Sequence, residues 1–285
     1  MIGNLGKDAT LPTLWSILAL YAAARFLPLF ADKVPVAVIA ALHIFPPLLF
    51  ALIHGASLLG RRAILTFCVL FLLVGNIIEN LGVTTGFPFG HYYFTDRLGP
   101  KLFHVPILLG LAYLGMGYIS WTLALLILGN AKNPLARVVA LPLVASFLMV
   151  AWDFSQDPIW STVERLWIWP HGGTYFGVPV TNFLGWYFTV YIFYQLFALY
   201  LRRHSGVLNP PLRYAQLAIL FYAVCATGNL LLLGTPPATV SDPSGAMWNV
   251  RDILGASALV SIFTMGAFAL VAWVRLADDE KTTAK

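Results

Sequence analysis

Eight apolar runs of roughly 20 residues constrain this chain more than anything else in it. They lie near 11–30, 34–56, 63–81, 102–128, 137–156, 180–201, 213–234 and 253–275. A helix of that length spans the hydrocarbon core of a bilayer, where the backbone must satisfy its own hydrogen bonds. The expected fold is therefore all-α, a polytopic membrane helical bundle with about eight transmembrane helices. Only 10% of residues are charged, against the quarter usual in soluble domains, and 59% are hydrophobic. A single integral membrane domain, 1–285, accounts for the length, with modest loops and no separate soluble part. The first run lacks a convincing cleavage site and reads as a retained helix. Pro46-Pro47 should kink the second helix.

Basic residues give the orientation. Both termini and the 2–3, 4–5 and 6–7 loops carry eleven of the 17 Lys and Arg, from Lys7 through Arg61, Arg62 and Lys132 to Lys285. The opposite side carries five, and Arg25 lies within the first helix. The positive-inside rule then puts both termini in the cytoplasm and the chain in the cell (cytoplasmic) membrane, with the lipid bilayer as its partner. Because these charges sit between apolar spans, the net charge of +5 is no sign of nucleic-acid binding. Asp32, Glu79, Asp96, Asp153, Asp157, Glu164, Asp242 and Asp252 all fall on the outer side. So do the two long loops, roughly 82–101 and 157–179, and chemistry is expected at that end.

Three stretches carry candidate residues. In the first, Asn76 to Asp96, an apolar run ends in Asn76, Glu79 and Asn80, which share one helical face. Polar groups on a membrane helix mark a site by default, although a helix end reaching headgroup water gives the same pattern. In the second, Ala151 to Trp160, Asp153 and Asp157 stand one turn apart, close enough for one to keep its proton. Asp157 precedes Pro158 and also reads as the N-cap of a short helix 158–167. Asp153 lies sixteen residues past Arg137 and Glu79 seventeen past Arg62, so each climbs about 25 Å from the cytoplasmic face. Their depths match, on different helices. The third stretch, Trp167 to Trp186, has the aromatics of an interfacial belt but the glycines of an ordered loop. With Phe87, Phe89, Tyr92, Tyr93 and Phe94 it would form an aromatic box that stabilises a cation.

Other chemistries find no signature. The six histidines form no HxxxH, HxxHH or HExxH pattern, and each reads as a satisfied core residue. No GxGxxG follows a strand and no DDxxD box is present. Cys68 and Cys225 lie inside apolar runs, where a structural disulfide is not expected. Arg25 should pair inside the bundle, and Asn229 should act as interhelical glue.

The runs Glu79-Asn-Leu-Gly-Val-Thr-Thr-Gly-Phe-Pro-Phe-Gly-His-Tyr-Tyr-Phe-Thr-Asp96 and Leu98-Gly-Pro-Lys-Leu-Phe-His-Val-Pro106 resemble the membrane-embedded carotenoid biosynthesis protein family. That family includes γ-carotene and bisanhydrobacterioruberin hydratases. Ala151-Trp-Asp-Phe-Ser-Gln-Asp-Pro158 and Tyr175-Phe-Gly-Val-Pro-Val-Thr-Asn-Phe-Leu-Gly-Trp186 resemble its other two blocks, so the likeness covers about 62–186. Two positions depart from it: His91, where a basic residue is expected, and Phe94, where a tyrosine is expected.

The resemblance implies addition of water across the terminal double bond of an acyclic ψ-end group, giving a tertiary alcohol. It implies an acyclic or monocyclic carotenoid as substrate, other enzymes of the pathway as partners, and no metal or redox cofactor. Such chemistry needs a protonated carboxyl, aromatic faces for the carbocation and one positioned water. Glu79 and Asp153 are the candidate acids, ahead of Asp96 and Asp157. Asn76, Asn80, Phe87, Phe89, Tyr92, Tyr93, Trp152, Tyr175, Asn182 and Trp186 are the candidate substrate-binding residues. A carotenoid end-group cyclase and a non-catalytic carotenoid carrier remain as alternatives.

Overall fold

The computed structural model describes residues 2–30, 33–129, 136–204 and 210–283, without the side chains of 2–9, 36, 37, 136 and 279–283. Asp32, Lys132 and Lys285, part of the charge pattern above, lie outside the described residues. Nine α-helices are described: α1 (Ile2–Ala24), α2 (Val36–Leu58), α3 (Arg61–Thr85), α4 (Ile107–Leu128), α5 (Leu141–Pro158), α6 (Val180–His204), α7 (Leu212–Leu231), α8 (Val250–Val260) and α9 (Ala267–Thr283). Wide π turns flank α5, and another, Ser261–Gly266, joins α8 to α9 into one rod.

Among the described residues seven segments are long and apolar enough to cross a membrane, which makes this a multi-pass membrane protein. Six match the expected runs from 34 to 234, and Val250–Asp278 matches the last. The first run behaves differently. Its helix, Ile2–Ala24, ends before Pro28 and gives way to the tight turn Leu27–Phe30, short of the expected end at 30. Through Pro46 and Pro47, by contrast, α2 continues to Leu58.

The bundle is built around α4, which packs on α2, α3, α5, α7 and α9. Of its apolar window 78% is buried, against 22% for α3, which faces outward with Leu65, Val69, Leu73 and Ile77. Small residues let the partners come close: a Cβ on Gly115 would fall 2.7 Å from the Pro47 backbone, and one on Gly117 2.5 Å from the Phe71 ring. Polar residues along the core find partners. Arg25 donates to Asn229 Oδ1 at 2.6 Å, and Asn229 in turn donates to Ser261 Oγ at 2.6 Å. His54 meets the Tyr118 hydroxyl at 2.6 Å and the Tyr214 carbonyl at 3.0 Å.

Short pairings organise the loops at the Glu79 end. β1 (Tyr93–Phe94) pairs antiparallel with β4 (Trp167–Ile168), which fastens the α3–α4 loop to the α5–α6 loop. β2 (Lys101–Leu102) and β3 (Val105–Pro106) form a hairpin before α4, where a longer helix was expected. β5 (Thr239–Ser241) and β6 (Met247–Asn249) form another before α8. Asp242 closes that turn, accepting from Ser244 N and Oγ, Ala246 N and Trp248 Nε1.

Candidate active site

Glu79 on α3 and Asp153 and Asp157 on α5 are all buried, and the three carboxyls interact electrostatically with one another. Burial of three acids in an apolar bundle is expensive unless each is held by donors or serves a reaction. The donors differ from one acid to the next. Glu79 accepts from the Tyr92 hydroxyl. Asp153 Oδ1 accepts from the Tyr113 hydroxyl at 2.9 Å, while its Oδ2 is buried without a partner. Asp157 is satisfied at both oxygens, by Trp167 Nε1 at 2.9 Å and by Asn182 Nδ2.

That pattern corrects one expectation. Asp157 is no N-cap, because α5 runs on through Pro158 into the π turn Ile159–Val163 and its side chain turns inward to Trp167.

Tyr92, in the loop, is kept a donor by its surroundings. Burial, and then the charge of Glu79, push its hydroxyl well above the ordinary phenol range. Tyr175 sits on a further loop, with Phe154 stacked at 4.5 Å. Burial, and then the charge of Asp157, push its hydroxyl up to about 12.

Aromatic rings close around the acids. Tyr113 stacks on Trp186 at 4.4 Å and meets Trp152 edge-on at 5.0 Å. Phe89 lies 5.4 Å from Trp186 and 5.9 Å from Tyr92, and Tyr92 lies 5.7 Å from Trp169. Two glycines clasp Phe89. A Cβ on Gly82 of α3 would come within 2.6 Å of its ring, and one on Gly185 of α6 within 2.8 Å.

Glu79, Tyr92, Tyr113, Asn182 and Trp186 line a narrow chamber of about 10 Å³, room for about one water. Glu79, Tyr113 and Trp186 also line a larger apolar cavity of about 170 Å³ between α3, α4 and α6. The larger cavity extends down α3 from Glu79 to Phe71, roughly 12 Å at helical rise. It passes Asn76 and ends near Phe193 on α6.

The remaining candidates take other places. Asn80 donates to the Asn76 carbonyl at 2.8 Å and accepts from His104 N at 2.9 Å, tying α3 to the segment before α4. Phe87 is 58% exposed and rests edge-on against Phe188. Tyr93 is exposed on β1. The structure sets Asp96 apart from the acids: its side chain is fully exposed and ion-paired with Lys101 at 2.9 Å. Phe94 is buried between Tyr92 and Trp167, with no hydroxyl to offer.

Tyr113 is the residue sequence reasoning missed. It is a tyrosine in an otherwise apolar run, and nothing in its spacing separates it from Tyr118. Trp167 and Trp169 were legible only as members of an aromatic belt.

The motif pattern described as carotenoid biosynthesis protein matches residues 34–241. Bisanhydrobacterioruberin hydratase of Haloarcula japonica is 33% identical over 130 residues, a stretch covering 45% of this chain and 42% of that relative. No solved structure matches the chain significantly. Glu79, Asp153, Asp157 and all three motif blocks lie inside the matched region, and the chain belongs to the carotenoid biosynthesis protein family.

Proposed function

We propose that this carotenoid biosynthesis protein is a hydratase that adds water across the terminal double bond of an acyclic ψ-end group. The observation that carries the reading is the position of Glu79, where an apolar cavity fit for an isoprenoid end meets an aromatic chamber, with Asp153 and Asp157 buried within electrostatic reach. The name of the Haloarcula japonica relative supports the same reaction class.

In this reading the Glu79 carboxylic acid protonates the less substituted alkene carbon, and the π electrons form the new C–H bond. The tertiary carbocation left on the neighbouring carbon faces Tyr113, Trp186 and Phe89, whose ring faces stabilise positive charge. Water attacks that carbon, and the proton it sheds passes to Asp153, whose Oδ2 has no partner. Transfer of that proton back to Glu79 resets the site. Alkene plus water gives alcohol, so the balance needs no electron acceptor. Asp157, held by Trp167 and Asn182, positions the wall of the chamber.

The bias of Lys and Arg supports an orientation with both termini in the cytoplasm and this site near the outer face of the cytoplasmic membrane. The test is expression in bacteria that accumulate lycopene or bisanhydrobacterioruberin, with the extracted pigments weighed. A gain of one or two waters, lost in Glu79→Gln, is the expected outcome. Unchanged mass with a shortened chromophore would make the protein a cyclase, and unaltered pigment across several acyclic substrates would make it a carrier.

A further inference from the structure

A second hollow lies on the loop side of the chamber. Its volume is about 520 Å³. Its rim holds Tyr93, Arg165, Ser241 and Pro243, and Ser161 and Thr162 lie along its wall. Tyr93 is 47% exposed, and Arg165 and Pro243 are exposed too, so the mouth faces solvent. Arg165 donates to the Ser241 carbonyl at 3.1 Å and Thr162 to the Phe176 carbonyl, which holds the two loops around the opening.

The floor is the telling part. Trp167 and Trp169 line both this hollow and the chamber that contains Glu79 and Tyr113. Trp167 and Trp169 therefore stand between the solvent-facing hollow and the chamber that Glu79 lines. They are pinned on the inner side, since Trp167 Nε1 donates to Asp157 Oδ1 at 2.9 Å and Trp169 Nε1 to the Phe89 carbonyl at 3.2 Å.

The two hollows bordering the chamber have opposite chemistry. The cavity between α3, α4 and α6 is lined by Leu72, Leu109, Val190 and similar residues, which favour an isoprenoid over water. The loop-side hollow presents hydroxyls, a guanidinium and backbone carbonyls, the partners that ordered water needs. A cation-forming hydration requires both substrates at once, and it requires little water, because a flooded chamber would solvate the acids and blunt their action.

We propose that the hollow lined by Tyr93, Arg165 and Ser241 is a water-binding vestibule, which supplies the second substrate across the Trp167–Trp169 wall while the carotenoid arrives from the lipid side. This rests on the hydratase reading above.

The test uses the full chain in membranes carrying Pro243→Cys, treated with a bulky, charged, membrane-impermeant thiosulfonate. Cys68 and Cys225 lie within the bundle, so the unsubstituted protein given the same reagent is the control. Hydrated carotenoid should fall to about a tenth or less, with carotenoid binding retained by its absorption band and turnover restored by a thiol reductant. Turnover that continues unchanged after full modification overturns the proposal, and so does a parallel loss of carotenoid binding. Ser241→Cys replaces Pro243→Cys if the latter is inactive before modification. If the unsubstituted chain itself yields no hydrated pigment, the hydratase reading fails and the vestibule falls with it. Hydration by both the unsubstituted and the modified protein defeats the vestibule alone.

Discussion

His54 and Asp153 are both wholly buried, and each meets a tyrosine of α4, Tyr118 in one case and Tyr113 in the other. The Tyr214 carbonyl can only accept, so His54 Nε2 carries the ring proton and Nδ1 takes the hydrogen of Tyr118. Every polar atom of that ring is used. Phe50 stacks on it at 4.7 Å and completes the enclosure. One and a half turns along α4 the same kind of tyrosine serves a carboxyl with an oxygen to spare, and it borders two cavities. Both arrangements are polar and deep, so polarity and depth do not separate structure from chemistry in this bundle. The proposed site differs in its spare carboxylate oxygen and in the two cavities that Tyr113 borders.

The strongest way to break that comparison is to neutralise the acids. Glu79→Gln and Asp153→Asn should each lower hydrated carotenoid per folded protein about 100-fold or more, read by pigment mass. Both chains should still purify as folded protein, since an amide keeps the shape and much of the hydrogen bonding. Wild-type product from either variant would strip that acid of its role.

On the structural side, Asn229→Ala removes the acceptor of Arg25 and the donor to Ser261. Thermal unfolding in detergent should show a loss of about 1–2 kcal/mol, with product per folded protein unchanged. A fall in product would mean that the Arg25 network is part of the reaction.

The two tyrosines make the sharpest pair. Tyr113→Phe should reduce turnover about tenfold while carotenoid binding persists, because the ring stack on Trp186 survives. Tyr118→Phe should leave turnover per folded protein intact and weaken the fold by about 1 kcal/mol, by orphaning His54 Nδ1. Equal effects of the two would erase the distinction.

The smallest effect belongs to Asp242, a satisfied carboxyl outside the bundle. Desolvation works against its charge, but donors from Ser244, Trp248 and Ala246 prevail and hold its pKa below the usual aspartate range. Its folded carboxyl thus ionises at lower pH than in the unfolded chain. The stabilisation is complete above about pH 4 and is lost as pH falls through the folded value. Asp242→Asn should flatten the acid limb of a stability–pH curve below pH 4, and an unaltered limb would refute the assignment.

Much of this architecture was legible from residue counts. Among the described residues seven of the eight apolar runs appear as helices long and apolar enough to cross a membrane. What escaped notice was decided by contacts distant in sequence. An Asp-Pro pair suits an N-cap and a continuing helix alike, and the choice at Asp157 rests on Trp167, ten residues on, and Asn182 on another helix. Asp96 sits in a loop whose course no periodicity records, and Lys101 draws it to the surface. Tyr113 and Tyr118 share an apolar run, and only the neighbours on α2 and α5 tell them apart.

Phe89, gripped between Gly82 and Gly185, has a consequence for the width of the chamber. The ring forms one wall of the chamber, and its position is fixed by two absent methyl groups. One added carbon at Gly82 would press on the Phe89 and Tyr92 rings, and one at Gly185 on the Phe89 ring and the Pro88 backbone. That width is thus set by two residues that offer no side chain to it. Enlarging Gly82 would reach the acid as well, because the Tyr92 ring it meets carries the hydroxyl that donates to Glu79.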